Sequence, residues 1–349
     1  MSNFHTLTVS EVKKETPNSV RVSFEIPDDV SEIFTYTPGQ YITIKHLVKQ
    51  KEIRRAYSIC SSPGNGSLTV GIKKVKNGAF SVFANTELNP GDTLEVMPPE
   101  GNFILNTNPA NAKDYLAFAA GSGITPILSI LKSVLEEEPG STFSLVFGNQ
   151  SLEETMFANE IAKLRETYPE RFFVEYLFSR RKEDFGLFGR IDRSTANYLL
   201  NKKLNHKTYH SYYLCGPEDM IHTISDLLKE RGASEDSIHF ELFTTTEEGQ
   251  LDEPHDGFTK ISVTLDDETE VFVMPQDTSV LEASLKHGLD APYSCQGGIC
   301  STCIARITEG KAEMRKNQIL TDEEIAEGLI LTCQAHPSTP TLGIDYDDV

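Results

Sequence analysis

Three cysteines within nine residues, answered by a fourth thirty residues later, constrain this chain more than any other feature. They are Cys295, Cys300 and Cys303, followed by Cys333. The spacing Cys-x4-Cys-x2-Cys with a distant fourth cysteine is typical of plant-type [2Fe–2S] sites. A four-cysteine zinc site and two disulfides are the alternatives. Structural zinc usually shows two short cysteine pairs, whereas here the fourth cysteine stands alone, so the pattern favours a [2Fe–2S] cluster.

The remaining two cysteines, Cys60 and Cys215, do not make a disulfide framework, which fits a reducing compartment. No run of eighteen apolar residues occurs, and the amino terminus lacks a basic and then apolar signal segment. We therefore expect a cytoplasmic protein without a membrane partner.

The net charge of −20 is unevenly distributed along the 349 residues. Residues 258–349 hold 6 Lys and Arg against 16 Asp and Glu, and residues 244–257 add five acidic residues and no basic one. Such a surface repels nucleic acid and anionic lipid, so neither is an expected partner. The acidity either keeps the protein soluble or forms a docking face for a basic protein.

The sequence texture changes twice and predicts three domains. Period-two runs such as Val20–Ile26 and Leu68–Ile72, separated by Pro-Gly turns, predict an antiparallel β-barrel over about residues 5–105. From about residue 114, apolar strand runs alternate with helical stretches, which predicts an α/β domain with a parallel sheet. Residues 244–257 have no apolar periodicity and indicate a linker.

Candidate binding residues follow the predicted strands. Arg55 and Tyr57 share one face of a strand that ends at Ser58, so a planar ring could stack on the tyrosine while a diphosphate reaches the arginine. A surface arginine beside a core tyrosine is the alternative. Gly78–Ser81 could open a helix whose N–H groups bind phosphate.

Two further turns lie at strand ends of the α/β region. Gly121–Pro126 is a glycine turn between a strand and a helix, with Pro126 where the third glycine of G-x-G-x-x-G would stand. A generic tight turn is its alternative. Cys215-Gly-Pro places a thiol at the carboxyl end of the sheet, where open α/β folds bind ligands, although buried packing is the commoner role of such a cysteine.

In this order the motifs resemble the ferredoxin–NADP reductase superfamily. The resemblance implies FAD, with Arg55 at its pyrophosphate and Tyr57 and Ser58 at the isoalloxazine ring. Cys215 would lie beside the nicotinamide. The predicted catalytic residues are Tyr57, Ser58 and Cys215. The other predicted FAD contacts are Val70, Gly71, Lys73, Gly78, Phe80 and Ser81. The predicted nicotinamide-nucleotide contacts are Gly121, Gly123, Thr125, Pro126, Gly216 and Pro217.

Local similarity narrows the resemblance to the reductase subunits of phenylacetyl-CoA epoxidase systems. It lies in Phe4–Val9, Arg54–Cys60, Ala119–Pro126 and Gly189–Asp192. The implied multidomain fold has an FAD-binding antiparallel β-barrel, an NAD(P)-binding α/β domain with a parallel sheet, an acidic linker and an α+β β-grasp ferredoxin domain. Their predicted bounds are residues 1–110, 111–243, 244–257 and 258–349.

A hydroxyl followed by guanidinium groups is a suitable cradle for the 2′-phosphate of NADPH. Ser179 and Arg180 provide these groups at a predicted strand end, and Arg190 could close the site. The alternative is a solvated basic turn. Glu241, between two apolar residues, could approach the isoalloxazine ring.

The hypothesis is therefore a reductase in which electrons pass from NADPH to FAD, then singly to the [2Fe–2S] cluster, and finally to an oxygenase. A phenylacetyl-CoA epoxidase is the expected acceptor system. A desaturase, a steroid hydroxylase and a hybrid-cluster protein are alternative acceptors. A nucleotide-binding module with a structural zinc tail and no turnover is a more distant alternative.

Overall fold

The computed structural model divides the chain into two compact units, Phe4–Phe243 and Thr244–Val349. The described residues are 4–48, 51–76, 78–205, 207–242 and 257–349. Residues 244–256 of the predicted linker lie outside them. No helix among these described residues has the length and apolar character needed to cross a membrane.

The first unit begins with a six-stranded antiparallel sheet. Its strands, in chain order, are β1 (His5–Thr16), β2 (Ser19–Glu25), β3 (Tyr41–Val48), β4 (Lys51–Ser58), β5 (Leu68–Lys73) and β6 (Thr93–Val96). The spatial order is β4-β3-β6-β1-β2-β5, and a bridge between Ile59 and Val70 joins the two outer strands at one end. The predicted alternation is present in β2, where Val20, Val22 and Phe24 are buried and Arg21 and Ser23 between them are half-buried. It is absent from β5, where all of residues 68–72 are buried. One helix, α1 (Ala79–Thr86), follows β5.

A six-stranded parallel sheet completes this unit. Its strands are β7 (Asp114–Ala120), β8 (Thr142–Asn149), β9 (Phe172–Phe178), β10 (Leu187–Phe188), β11 (Ser211–Gly216) and β12 (Ile238–Leu242). Its helices are α2 (Ile124–Glu137), α3 (Ala158–Thr167), α4 (Arg193–Lys202) and α5 (Glu218–Glu230). The order β10-β9-β8-β7-β11-β12 reverses direction between β7 and β11. Ligands of open α/β sheets bind at such a reversal, beyond the carboxyl ends of the strands.

Helix α2 is buried along almost its whole length. Ile127, Leu128, Ile130 and Leu131 have no exposed surface, and twelve of its residues are buried in all. A helix that is apolar on nearly every side must be covered by neighbouring elements. It packs against β7, β8 and β11, and its polar side chains reach the first sheet. It therefore connects the two sheets of the first unit.

The second unit has a five-stranded mixed sheet. Its strands are β13 (Phe258–Leu265), β14 (Glu268–Pro275), β15 (Ile304–Met314), β16 (Leu329–Leu331) and β17 (Ala335–Asp345), and its helices are α6 (Val280–Lys286) and α7 (Asp322–Ala326). The order is β14-β13-β17-β15-β16, with β13 and β17 parallel and the other pairs antiparallel. Val280, Leu281 and Ala283 of α6 belong to its core. The three-cysteine segment lies between α6 and β15.

Glu138, at the end of α2, is a fully buried carboxylate. It accepts hydrogen bonds from the Asn108 N–H, the Asn111 amide, the Tyr115 hydroxyl and the Ser141 hydroxyl, at 2.7–3.0 Å. Burial opposes ionisation, but these hydrogen bonds outweigh it and lower the pKa of Glu138. The charged form therefore stabilises the junction between α2 and the start of β7.

Replacing Glu138 with Gln should reduce the free energy of unfolding at pH 7 by on the order of 2 kcal/mol, because a charged acceptor of several hydrogen bonds is lost. Because the folded pKa is lowered, the advantage of the native protein is complete above the unfolded pKa and shrinks as the pH falls through the folded one. Urea unfolding at pH 7 and pH 4 measures both effects. The exposed Glu166→Gln is the control, and equal stability of all three proteins at pH 7 would contradict the prediction.

Candidate flavin, nicotinamide and iron–sulfur sites

The carboxyl end of β4 presents the predicted flavin residues. Arg55 is exposed, Tyr57 is half-buried and Ser58 is buried. The Tyr57 ring packs against Phe80 with 5.6 Å between ring centroids, and burial raises the pKa of its phenol. The Arg55 guanidinium donates to the Arg54 carbonyl at 2.6 Å. Strand alternation places Arg55 and Tyr57 on one face, as expected.

Two residues predicted to bind FAD have side chains in the hydrophobic core instead. Val70 is 0% exposed and Phe80 is 1% exposed, and both belong to the core of the first sheet. Phe80 lies between Tyr57 and His46, so its side chain supports the tyrosine from behind. Contact with a cofactor would therefore come only from their backbone.

Gly71 was predicted to bind FAD and Thr125 to bind the nicotinamide nucleotide, but these two residues face each other. A Cβ added at Gly71 would lie 2.7 Å from Thr125 Cγ2 and 2.8 Å from the Phe157 ring. Thr125 is 2% exposed, and its hydroxyl donates to the Ser122 carbonyl at 3.0 Å. The missing side chain of Gly71 lets the turn after β7 pack directly on β5. The pair therefore contributes to packing between the sheets, and the predicted cofactor contacts of both residues stay predictions.

The segment after β5 supplies positive charge and the N–H groups of a helix start. Gly78 is the residue before α1, and the Ser81 hydroxyl accepts from the Val75 N–H at 3.1 Å. Lys73 extends toward the turn after β7, since a Cβ at Gly121 would lie 3.5 Å from its Nζ. An ammonium and the first turn of a helix are both suited to phosphate groups.

The turns after β7 and β11 touch each other at the reversal point of the parallel sheet. Gly121–Gly123 forms a single 3-10 turn, and α2 begins at the next residue, with Pro126 in its first turn. A Cβ at Gly123 would overlap the backbone carbonyl of Cys215. Gly216 and Pro217 continue from there into α5. The predicted nicotinamide residues are thus brought together.

Ser58, Cys215 and Glu241 meet where β4, β11 and β12 end. The Ser58 hydroxyl donates to a carboxylate oxygen of Glu241 at 3.1 Å, and Glu241 is the register partner of Cys215 in the next strand. Burial, followed by the charge of Glu241, raises the pKa of the fully buried Cys215 thiol. A hydroxyl, a neutral thiol and a carboxylate therefore converge at this point. The prediction that Glu241 could approach the isoalloxazine ring rested on one signal, a charged residue between the apolar Phe240 and Leu242.

The predicted 2′-phosphate residues follow the carboxyl ends of β9 and β10. The Ser179 hydroxyl donates to the Asn149 carbonyl at 3.2 Å, and the Arg180 N–H donates to the Gln150 carbonyl at 2.9 Å. The side chains of Arg180 and Arg190 are exposed. Gly189 donates to the Phe178 carbonyl at 3.0 Å, which brings Arg190 to the same edge of the sheet.

The four predicted cluster cysteines form two close pairs of free thiols. Cys295 and Cys300 have their Sγ atoms 3.1 Å apart, and the Cys303 thiol is hydrogen-bonded to Cys333. A [2Fe–2S] core takes two thiolates on each iron, so two pairs fit it. Within the described residues, no three His, Cys, Asp or Glu side chains are grouped to hold a single metal ion.

Backbone N–H groups point at the sulfur atoms. The Gly297 N–H donates to Cys295 Sγ at 3.3 Å. The thiol of Cys300, together with the N–H groups of Gly297 and Ile299, lowers the pKa of Cys295 to about 7. Gln296 and Gly298 have φ of 54° and 70°, so the segment bends sharply between its first two cysteines. These features suit thiolate ligands of a metal cluster.

Three known domain families match the sequence, in the order that the fold presents them. Residues 6–104 match the oxidoreductase FAD-binding domain, residues 118–226 the oxidoreductase NAD-binding domain, and residues 263–338 the 2Fe-2S iron-sulfur cluster binding domain. Each match contains one of the three sheets or most of it.

Two curated proteins match over nearly their full length. One component of the 1,2-phenylacetyl-CoA epoxidase from Escherichia coli is 37% identical over 99% of both chains. The ferredoxin reductase component of 3-ketosteroid-9-alpha-monooxygenase from Rhodococcus rhodochrous is 33% identical over 97% of this chain and 96% of that protein. The chain belongs to this family of three-domain reductase components. It is therefore an oxidoreductase with FAD-binding, NAD-binding and [2Fe–2S] domains.

A solved structure supports the fold of this reductase family. Phthalate dioxygenase reductase superposes with a TM-score of 0.63 at 21% identity and covers 98% of each chain. The predicted multidomain architecture, with an antiparallel flavin sheet, a parallel nucleotide sheet and an α+β ferredoxin domain, is confirmed.

Substituting Gly71 with Ala should lower the free energy of unfolding by about 1–3 kcal/mol, because the new methyl group has no space between Thr125 and Phe157. Gly64→Ala is the matched control, since nothing lies within 4 Å of a Cβ there. Thermal and urea unfolding of the two variants gives the comparison. A Gly71→Ala protein as stable as Gly64→Ala would show that the two sheets are not packed as described.

Proposed function

We propose that this reductase passes electrons from NADPH through FAD and a [2Fe–2S] cluster to an oxygenase component. The observation that carries the proposal is the meeting of Ser58, Cys215 and Glu241 beside the turn after β7. A flavin ring held by β4 and a nicotinamide ring held beyond β7 and β11 would meet there. When bound, FAD takes two electrons together and gives them up singly, which matches the one-electron capacity of the cluster.

The residues then have distinct roles. The Arg55 guanidinium would neutralise the FAD pyrophosphate, and the Tyr57 ring, which packs on Phe80, would stack on the isoalloxazine. Glu241 orients the Ser58 hydroxyl, and the Cys215 thiol, whose pKa is raised, would pack against the nicotinamide without adding charge. Lys73, Gly78 and Ser81 would hold the phosphate groups. These groups act by positioning, since no strong acid or base is required.

NADPH is favoured over NADH because Ser179, Arg180 and Arg190 lie at one edge of the sheet with exposed guanidinium groups. A 2′-phosphate carries nearly two negative charges and accepts charge-assisted hydrogen bonds. The two exposed arginines can turn toward such a group without breaking any of the hydrogen bonds described here.

Replacing Arg180 with Ala should raise the KM for NADPH roughly 10- to 100-fold, the loss expected for one hydrogen-bonded charge pair, and leave the KM for NADH nearly unchanged. Steady-state reduction of ferricyanide with each nucleotide measures the two values. Arg193→Ala serves as the control, because Arg193 is an exposed arginine at the start of α4 that pairs with Glu230. An equal change for NADPH and NADH would argue against a 2′-phosphate site at Arg180.

The four cysteines are proposed as the cluster ligands, and residues 1–110, 111–243 and 258–349 as the flavin, nucleotide and ferredoxin domains. The acceptor is proposed to be the oxygenase of a phenylacetyl-CoA epoxidase system, on the strength of the 37% identity. A steroid monooxygenase is the second candidate, on the strength of the 33% identity. Coupled product formation with each purified oxygenase distinguishes them. We also propose the cytoplasm as the location, because all six cysteines are free thiols and none forms a disulfide.

Changing Cys303 to Ser should abolish electron delivery to a protein acceptor, because one iron loses a thiolate, while ferricyanide reduction through the flavin continues near the native rate. Iron content, visible spectra and cytochrome c reduction report the difference. Ser301→Ala tests the same segment without touching a ligand. Native cytochrome c reduction by the Cys303→Ser protein would show that the cluster is not on the electron path.

A further inference from the structure

Helix α2 is bonded directly to the chain segment that leaves the flavin strand. The Ser129 hydroxyl donates to the Ser61 carbonyl at 2.6 Å, and Lys132 Nζ donates to the Cys60 carbonyl at 2.9 Å. Both carbonyls follow Ser58 by only two or three residues. The N–H of Cys60 is paired with Thr69 of β5. The segment is therefore fixed from the β5 side through its N–H and from the α2 side through its carbonyls.

A lysine is unusual at a position as buried as that of Lys132, which is 8% exposed. A lysine side chain is long enough to carry its ammonium to water, and burying that charge is costly unless it is paired. Here the ammonium forms an ion pair with Glu160 of α3, and Glu160 also pairs with Arg21 of β2. Arg21 Nε is in turn 2.9 Å from Glu15.

These four residues, Glu15, Arg21, Lys132 and Glu160, form a partly buried charge network with two positive and two negative members. Burial opposes ionisation of Glu160, but Lys132 and Arg21 outweigh it and lower the pKa of this carboxyl. The Arg21 guanidinium also lies 5.1 Å from the centre of the Phe157 ring, one of the groups packed on Gly71. The network thus links β2, α2 and α3 around the contact between the sheets.

The amino-terminal end of the same helix follows directly on the turn Gly121–Gly123, here called the nicotinamide turn. From Ile124, where α2 begins, to Lys132 is about two turns, or roughly 12 Å of rigid helix. The path from the flavin residues to the nicotinamide turn therefore runs through Ile59, Cys60, Lys132 and α2. Reacting atoms must approach to about 3–3.5 Å, and a displacement of about 1 Å can cost a hundredfold in rate.

We propose that Lys132 and Ser129 are positioning residues, which hold the end of the flavin strand on α2 and thereby fix the flavin ring relative to the nicotinamide turn. The inference rests on the proposed function, because it concerns the step between the nicotinamide and the flavin. Neither side chain touches the reacting groups. Their effect is transmitted through the Cys60 and Ser61 carbonyls.

The principal test is Lys132→Met, which keeps most of the side-chain volume and leaves Glu160 paired with Arg21. We expect the limiting rate of flavin reduction at saturating NADPH, measured by stopped flow, to fall at least tenfold. The Kd for NADPH should change less than threefold, and the charge-transfer absorbance of the flavin–nicotinamide complex should be lost. Ser129→Ala should change the same quantities in the same direction but less.

Lys207→Met is the matched control. Lys207 is also largely buried and pairs with Asp114 at 2.8 Å. Asp114 is the first residue of β7, so this ion pair lies at the opposite end of that strand from the nicotinamide turn. This variant should lose thermal stability to a similar extent and keep the native limiting rate. A native rate in Lys132→Met, or an equal loss of rate in Lys207→Met, would overturn the inference.

Hydrogen–deuterium exchange of the flavin-free protein separates this inference from the proposed function. Amides of Tyr57–Ser61 should exchange faster in Lys132→Met than in the native protein or Lys207→Met. Unchanged exchange there would overturn the positioning role even if NADPH reduces the flavin normally. If neither NADPH nor NADH reduces the flavin of the native protein, the proposed function fails, while the exchange comparison still tests how Lys132 acts on the strand end.

Discussion

The close approach of Gly123 to the carbonyl of Cys215 is the constraint on which the site depends. It requires a residue without a side chain at the turn after β7, and it brings that turn against the end of β11. Once the two strand ends touch, α2 must start directly above them, and its buried face must lie between the two sheets. The position of Gly71 against Thr125 follows, because the same turn is then in contact with β5.

Elements with strong apolar runs could be predicted from the sequence, and weakly patterned ones could not. Strand β9 (Phe172–Phe178) is one of the apolar strand runs predicted after residue 114, because six of its seven residues are apolar. Helix α4 was missed, since only Ala196, Leu199 and Leu200 of its ten residues are buried. Its one local signal was Asp192, whose side chain accepts from the Thr195 N–H at 2.7 Å as a helix cap.

The same distinction applies to the candidate site, where local patterns could be predicted and contacts between distant residues could not. The cysteine spacing and the Arg55–Ser58 strand are local patterns, so the sequence shows them. Glu160 and Arg21 are 139 residues apart, and nothing near either one indicates that they meet. The contact between Gly71 and Thr125 was not predicted for the same reason, because a close approach between distant segments leaves no local mark. The position of Cys333 also depends on a contact between distant segments. The N–H and the hydroxyl of the preceding residue, Thr332, both donate to the Cys303 carbonyl, at 3.0 and 2.9 Å.

The charge network of Glu15, Arg21, Lys132 and Glu160 is partly buried, and its two positive and two negative members balance. Dissolved ions therefore screen it less than a fully exposed ion pair. The acidic surface of residues 258–349 faces solvent, where screening over about 8 Å at physiological ionic strength is effective. Ionic strength should therefore change the rate at which this reductase associates with other proteins. The packing of the two sheets in its first unit should change much less.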